Sequence, residues 1–533
     1  MAQFTMSVLI ILSIMGAGYL ISRMLRTRES LVLFPMSIAF GICFLALVGS
    51  FLWLVNLVAR ETVVYFITAI CILAFTVLTR SRREFMTFVR KNSLPLIAWF
   101  GVASIATMFS FLPINKPAEL YDGPYVFKTW TLPVQIQSFA MDYPPDNAIP
   151  AVVTEFLANG IDFQVERPIM PGQEFANRPI LASFASLPLR LALGSDDPNL
   201  SPLERFDYVG ISWPNTLSIV SDHEFRIFLS TAIPLNASLA AIATWLIMQL
   251  SIFKGGANRK LLYSTITGFV VLNPFLIFHT IFTWPKNVAA MFIITSLIVI
   301  KSDIPRKHLL GGILMGLAYW SHPMTMPFIF IAGIYIFFDG ISKDMLQKNL
   351  LSASKYLLTT VAVIVPWILW TNVYMKMPFD LIAQNATPAG SLIEQIGVRL
   401  NNIFILSAPT HLNVQPMEIG SFLTSYMTNL WNPLGLLMLM VFPALYFFRT
   451  HDLNFLVIVP TISALLITLL HAFPAPTIIH GWQATWPGLL LACFSLLSSR
   501  INLLWKFIVV QLVVNSLIIG LWILKFTEID VPV

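Results

Sequence analysis

The chain has 533 residues, of which 57% are hydrophobic and 11% charged, with a mean hydropathy of +0.78 and a formal net charge of +6. Soluble domains carry about 25% charged residues, so one water-facing fold around one core is excluded, whereas a lipid-embedded helical body accommodates the apolar surface. The basic residues fall in short clusters between apolar stretches rather than along one stripe, which argues for a membrane and against nucleic acid as the partner of that charge.

The first apolar stretch has no basic residue before it and is followed by Arg23, Arg26 and Arg28. That order reverses a signal peptide, so the segment reads as a retained helix with its N-terminus outside. A helix needs roughly 20 residues to cross the ~30 Å hydrocarbon layer. Fourteen stretches approach that length: 5–22, 31–58, 62–79, 94–112, 226–252, 261–280, 287–300, 308–320, 325–338, 354–374, 429–448, 454–471, 484–498 and 503–525. Those at 287–300, 308–320 and 325–338 are short. The expected fold is therefore an all-α polytopic membrane protein of about 14 transmembrane helices.

Charge distribution agrees with that count. With the N-terminus outside, the inner loops and the adjoining Lys355 and Lys506 hold 20 of the 32 Lys and Arg but only 6 of the 26 Asp and Glu. A missed or invented span would scramble this positive-inside asymmetry. The three cysteines, Cys43, Cys71 and Cys493, all lie in apolar stretches and the large polar loop has none, so there is no disulfide framework.

The outer side carries two long loops. The larger, 113–225, is dense in Pro, Asp, Asn and aromatics and reads as a mostly helical outer domain, with helix-like stretches from Ala148 to Leu157 and from Ile180 to Leu193. The second, 375–428, contains Ser391 to Leu406, which alternates apolar and polar residues at helical spacing and suits the membrane interface. No internal repeat or low-complexity tract is evident.

Four clusters have functional chemistry, all on the outer side. In Glu119-Leu-Tyr-Asp122-Gly-Pro-Tyr125, Asp122 lies about ten residues past the fourth stretch, where a carboxylate can act as general base; an Asp-Gly-Pro turn accounts for it equally well. In Asp142-Tyr-Pro-Pro-Asp146-Asn147, followed by Glu155, Asp146 is a second carboxylate and Asn147 reads as a helix cap. Carboxylates suit magnesium or calcium, but no ligand set of fixed spacing is present, so a divalent cation stays open and no metal ligand is named. The third cluster is basic: Arg167, Arg178 and Lys286, the last in Thr283-Trp284-Pro-Lys286. Arg grips phosphate or carboxylate bidentately and Lys acts as a point charge; a lysine snorkelling beside an interfacial tryptophan is the competing reading for Lys286. The fourth comprises His322, in Trp320-Ser-His322-Pro, and His480, in His480-Gly-Trp482-Gln, each able to donate to phosphate or simply to finish a helix. There is no phosphate-cradling glycine loop, no zinc-protease motif and no nucleophile elbow.

One arrangement gathers these features. A span runs outward, a long outer loop begins with an acidic residue, and six spans follow in tight hairpins. With Trp284-Pro-Lys-Asn-Val-Ala-Ala-Met-Phe and Gly311-Gly-Ile-Leu-Met-Gly-Leu-Ala-Tyr-Trp-Ser-His322-Pro, residues 94–374 resemble the module of the GT-C membrane glycosyltransferases, which use polyprenyl-phosphate-linked sugars. Around this module, 1–93 reads as a three-helix extension and 429–533 as a four-helix C-terminal region.

The resemblance implies inverting sugar transfer from a polyprenyl-phosphate donor to a glycan, lipid or protein acceptor on the outer face; a bacterial inner membrane, with that face periplasmic, is the expected location. It implies Asp122 as catalytic base; the chemistry of the residues themselves offers Lys286, Arg178 and His322 for the donor phosphate and Tyr125, Trp284, Arg167 and His480 for substrate contacts. The chain departs from the family in three ways: Asp122-Gly-Pro replaces a paired acidic motif, three spans precede the module, and the loop is long. Asp146 is therefore the second candidate base. An O-antigen-type polymerase or ligase is the rival enzyme, although such proteins rely on Arg and His in later loops. A lipid or polysaccharide transporter or flippase is the non-enzyme alternative, which broken helices and internal repeats would favour.

Overall fold

In lipid the backbone must satisfy its own polar groups, so long apolar stretches fold as helices. The computed structural model describes residues 2–25, 30–56, 59–110, 149–160, 180–194, 205–208, 211–214, 222–250, 259–281, 283–338, 346–374, 391, 393–399, 445–446, 454–470, 482–498 and 500–527. The helices are α1 (Ala2–Met24), α2 (Ser30–Leu54), α3 (Arg60–Arg80), α4 (Arg82–Lys91), α5 (Ser93–Ser110), α6 (Ile149–Asn159), α7 (Leu181–Leu193) and α8 (Asp222–Met248). They continue as α9 (Arg259–Val271), α10 (Pro274–Ile281), α11 (Lys286–Lys301), α12 (Lys307–Ser321), α13 (Met326–Phe338) and α14 (Leu346–Leu369). The last three are α15 (Asn454–Leu470), α16 (Trp486–Ser498) and α17 (Ile501–Thr527).

Thirteen of the fourteen apolar stretches are occupied by these helices, and 429–448 lies outside the described residues apart from 445 and 446. Five helices are both long and apolar enough to cross a membrane: Gln3–Met24, Val32–Leu54, Ser93–Ser110, His223–Met248 and Leu346–Val373. A sixth crossing is reached if Leu261–Val271 and Pro274–Ile281, bent by 46° at their break, count as one. The described residues are helical, as expected, apart from one short hairpin. Strands β1 (Arg205–Tyr208) and β2 (Ile211–Pro214) pair antiparallel, with Phe206 opposite Trp213, in a hairpin within the long loop.

Close backbone approach sets the helix directions. A Cβ on Gly18 would overlap the Ser37 carbonyl and one on Gly41 the Ile14 carbonyl, so α1 and α2 run antiparallel with their backbones touching. Ser296 Oγ donates to the Gly311 carbonyl (2.8 Å), closing the α11–α12 hairpin. Gly312 and Gly316 let α12 lie parallel to α14, and Trp320 Nε1 donates to the Val363 carbonyl (2.7 Å). Trp99 Nε1 donates to the Pro234 carbonyl (2.7 Å), joining α5 to α8.

Two ends of the bundle follow from these pairings. The C-terminal ends of α2 and α14 meet through Trp53 and Trp370 (ring centroids 5.4 Å apart), and Phe184 of α7 reaches both at 5.9 and 6.1 Å. At the opposite end, Arg23 of α1 pairs with Glu84 of α4. Helices α6 and α7, both within the long loop 113–225, are buried: α7 packs on α2 and α8, and α6 on α7 and α8. Residues 1–93 are likewise built into the body, through α1 and α2 against α8.

The two-ended arrangement has a direct check. In a chain whose three cysteines are replaced by Ser, Glu61→Cys should react with an impermeant maleimide on intact cells, and Thr87→Cys only after permeabilisation. Both positions are exposed. Labelling of Thr87→Cys from outside would invert the assignment.

Candidate functional site

The site is assembled where α11 and α12 meet the loop helices. Pro285 precedes α11, and Lys286 N–H donates back to the Trp284 carbonyl (2.7 Å), a tight turn that faces Trp284 and Lys286 together. Lys286 Nζ stands 4.1 Å from the centroid of the Trp284 ring, a cation–π contact. Lys286 is 3% exposed, so its side chain is enclosed by protein along its length.

α12 ends because Pro323 follows His322. A residue before proline is driven to extended geometry, and His322 has φ −159° and ψ 133°. The His322 Nδ1 accepts from Met324 N–H (3.1 Å), which leaves Nε2 as the protonated, donating nitrogen of a neutral ring. Its ring lies 5.9 Å from that of Trp284. Pro150 and Val153 of α6, Ser183 of α7, Trp284, Pro285, Ser321 and His322 line a narrow recess. Ser183 Oγ donates to the Pro150 carbonyl (2.9 Å), so α6 and α7 close over it as one unit.

That unit is fixed by a buried ion pair. Arg190 Nε and Nη2 donate to Glu155 Oε1 and Oε2 at 2.6 and 2.8 Å, with side chains 6% and 4% exposed. Burial pushes the Glu155 carboxyl above the usual carboxylate range, the hydrogen bond and charge of Arg190 pull it back, and Glu224 of α8 adds to the rise.

Three of the residues named from sequence are therefore brought together: Trp284, Lys286 and His322. Asp122, Tyr125, Asp146, Arg167, Arg178 and His480 lie outside the described residues. Among the described residues no group of three His, Cys, Asp or Glu is placed to hold a metal ion.

Sequence reasoning passed over several buried polar groups. Asn287 is fully buried beside Lys286, and among the described residues nothing hydrogen-bonds its amide. Gln483 Nε2 lies 3.3 Å from His279 Nδ1, linking α10 to the turn before α16. Arg190 had a signal in the sequence, since an arginine inside the otherwise apolar Leu181–Leu193 requires a buried partner. His279 and Gln483 are 204 residues apart and had none.

No protein-family model, curated protein or solved structure matches the chain, so the reading of the site rests on its own residues.

Proposed function

We propose that the protein is an integral membrane glycosyltransferase of the GT-C type, which takes a sugar from a polyprenyl-phosphate carrier at the end of the bundle where α6 and α7 close. The observation that carries this reading is the buried Lys286 side chain, its Nζ over Trp284 and one ring from His322, beside a recess roofed by the long loop. A buried cation with a neighbouring N–H donor is suited to a phosphate group, and spans surrounding it suit a lipid that carries one.

In the proposed reaction, a carboxylate, Asp122 or Asp146, takes the proton of the acceptor hydroxyl as its oxygen bonds to the anomeric carbon. The bond from that carbon to the phosphate oxygen breaks, and the configuration inverts. The electron pair leaves on the phosphate, where Lys286, His322 and Arg178 would offset the developing charge. Sugar, acceptor, periplasmic sidedness and a bacterial inner membrane belong to the same proposal.

The test is transfer of a labelled sugar from a lipid extract to acceptor in membrane vesicles. Lys286→Met keeps the apolar stem and removes the charge. A charge-assisted contact is worth about 1.5–3 kcal/mol, so donor binding and transfer should fall about 10- to 100-fold. Unchanged transfer would remove Lys286 from the site.

The break between α9 and α10 favours a second reading, a lipid or polysaccharide transporter, because interrupted spans with buried polar caps build transport sites. Asn273 Oδ1 accepts from Leu276 N–H (3.2 Å) at that break, and Asn273 is fully buried. Movement of an unaltered glycolipid across vesicles, with no new glycosidic bond, would decide for the transporter.

A further inference from the structure

The segment between the third and fourth apolar stretches, expected as a plain inner loop, is the amphipathic helix α4. Ser81 alone separates it from α3 and Asn92 alone from α5. Phe85 N–H donates to the Ser81 carbonyl (3.0 Å), and Leu96 N–H to the Asn92 carbonyl (3.1 Å), so both junctions are hydrogen-bonded turns. Helix α4 therefore sits at the level where α5, long and apolar enough to cross a membrane, comes to its end.

Its two faces differ sharply. On one, Phe88 is buried and Phe85 half-buried against Tyr19, with ring centroids 4.8 and 5.2 Å away, and Phe88 also reaches Phe34 at 6.1 Å. Glu84, the helix's one acidic residue, pairs with Arg23. On the other face Arg82, Arg83 and Arg90 are exposed, with Arg80 and Lys91 exposed at the flanks. Met86, 42% exposed, lies one helical turn from both Arg82 and Arg90.

We propose that this face of α4 is a docking surface for the anionic head groups of phospholipids in the adjoining leaflet. The aromatic side orients the helix, and the cations are held at head-group height by the turns to α3 and α5. An exposed methionine between two arginines fits the boundary between phosphate and acyl chain, where the guanidinium reaches the phosphate and the thioether stays in hydrocarbon. A soluble acidic protein would meet the charges but would have to reach Met86 at the level where α5 ends.

The test measures lipid retention by the whole purified protein. Native mass spectrometry during titration with phosphatidylglycerol and with phosphatidylcholine gives the affinity for each. Each cation near an anionic surface contributes about fivefold, so Arg82→Gln/Arg83→Gln/Arg90→Gln should weaken phosphatidylglycerol binding roughly a hundredfold and leave phosphatidylcholine unchanged. The corresponding triple replacement by Lys keeps the charges and should keep most of the preference; should the Gln variant not fold, Arg82→Gln alone should lose about fivefold. A control removing Lys301, Arg306 and Lys307 from the α11–α12 turn should lose much less. Undiminished phosphatidylglycerol binding by the Gln triple, or an equal loss in the control, overturns the proposal; capture of a soluble acidic protein by an α4 that retains no phosphatidylglycerol overturns it as well.

Discussion

Arg190→Met should destabilise the protein by about 3–5 kcal/mol, read as a lower midpoint in detergent-titrated unfolding. The substitution keeps the apolar stem inside α7 and leaves the Glu155 carboxylate, 4% exposed at its side chain, without its bidentate donor. Burial then acts on that carboxyl opposed only by the Asn159 hydrogen bond, since Arg190 supplies the main lowering influence. The folded-state pKa of the orphaned acid rises further above its unfolded value. The penalty should accordingly be full above the raised folded value and fade as pH falls towards the unfolded carboxylate range, because the protonated acid is neutral. Glu155→Gln/Arg190→Met removes both charges and should recover most of the loss, as replacing a buried pair entirely costs far less than breaking it. If the single and double variants unfold alike, the pair is not what fixes α6 to α7.

Under the proposed function, Asp122→Asn should abolish sugar transfer while leaving expression and donor binding intact. The amide keeps the size and hydrogen-bonding reach of the carboxylate but cannot take the acceptor's proton. Losing a general base costs 10²–10⁴-fold in rate, about 3–5 kcal/mol of barrier. Asp146→Asn is the paired measurement. A dead Asp146 variant beside an active Asp122 variant would move the base within the same loop, and full activity in both would end the carboxylate mechanism.

The ion pair fixes the α6–α7 unit, and through Pro150, Val153 and Ser183 that unit borders the recess at His322 and Trp284. A partial defect in transfer on Arg190→Met, with Lys286 unaltered, would show that closure by the loop helices matters to the chemistry.

The sequence by itself determined where the helices lie. Apolar runs near membrane length, ended by charged turns, needed no knowledge of neighbours, and α6 and α7 began within one residue of their expected starts. Helix 393–399 likewise opens where expected: Glu394 Oε2 accepts from both the backbone N–H and the hydroxyl of Ser391, a capping box written in four adjacent residues. Short-range signals suffice for such elements because their hydrogen bonds close within one helical turn.

Only the tertiary structure decided which polar groups meet. Lys286 and His322 were each visible as rare cationic groups, but their convergence on Trp284 depends on the α11–α12 hairpin closing through Ser296 and Gly311. Glu155 and Arg190 are 35 residues apart, and nothing local in either helix specifies the other. The bend at Leu272–Asn273 and the amphipathic α4 inside an expected loop were also decided by packing. In each case the stabilising term is desolvated contact between distant segments, which acts only once the chain has brought them together, whereas helix formation is written in the spacing of neighbouring residues.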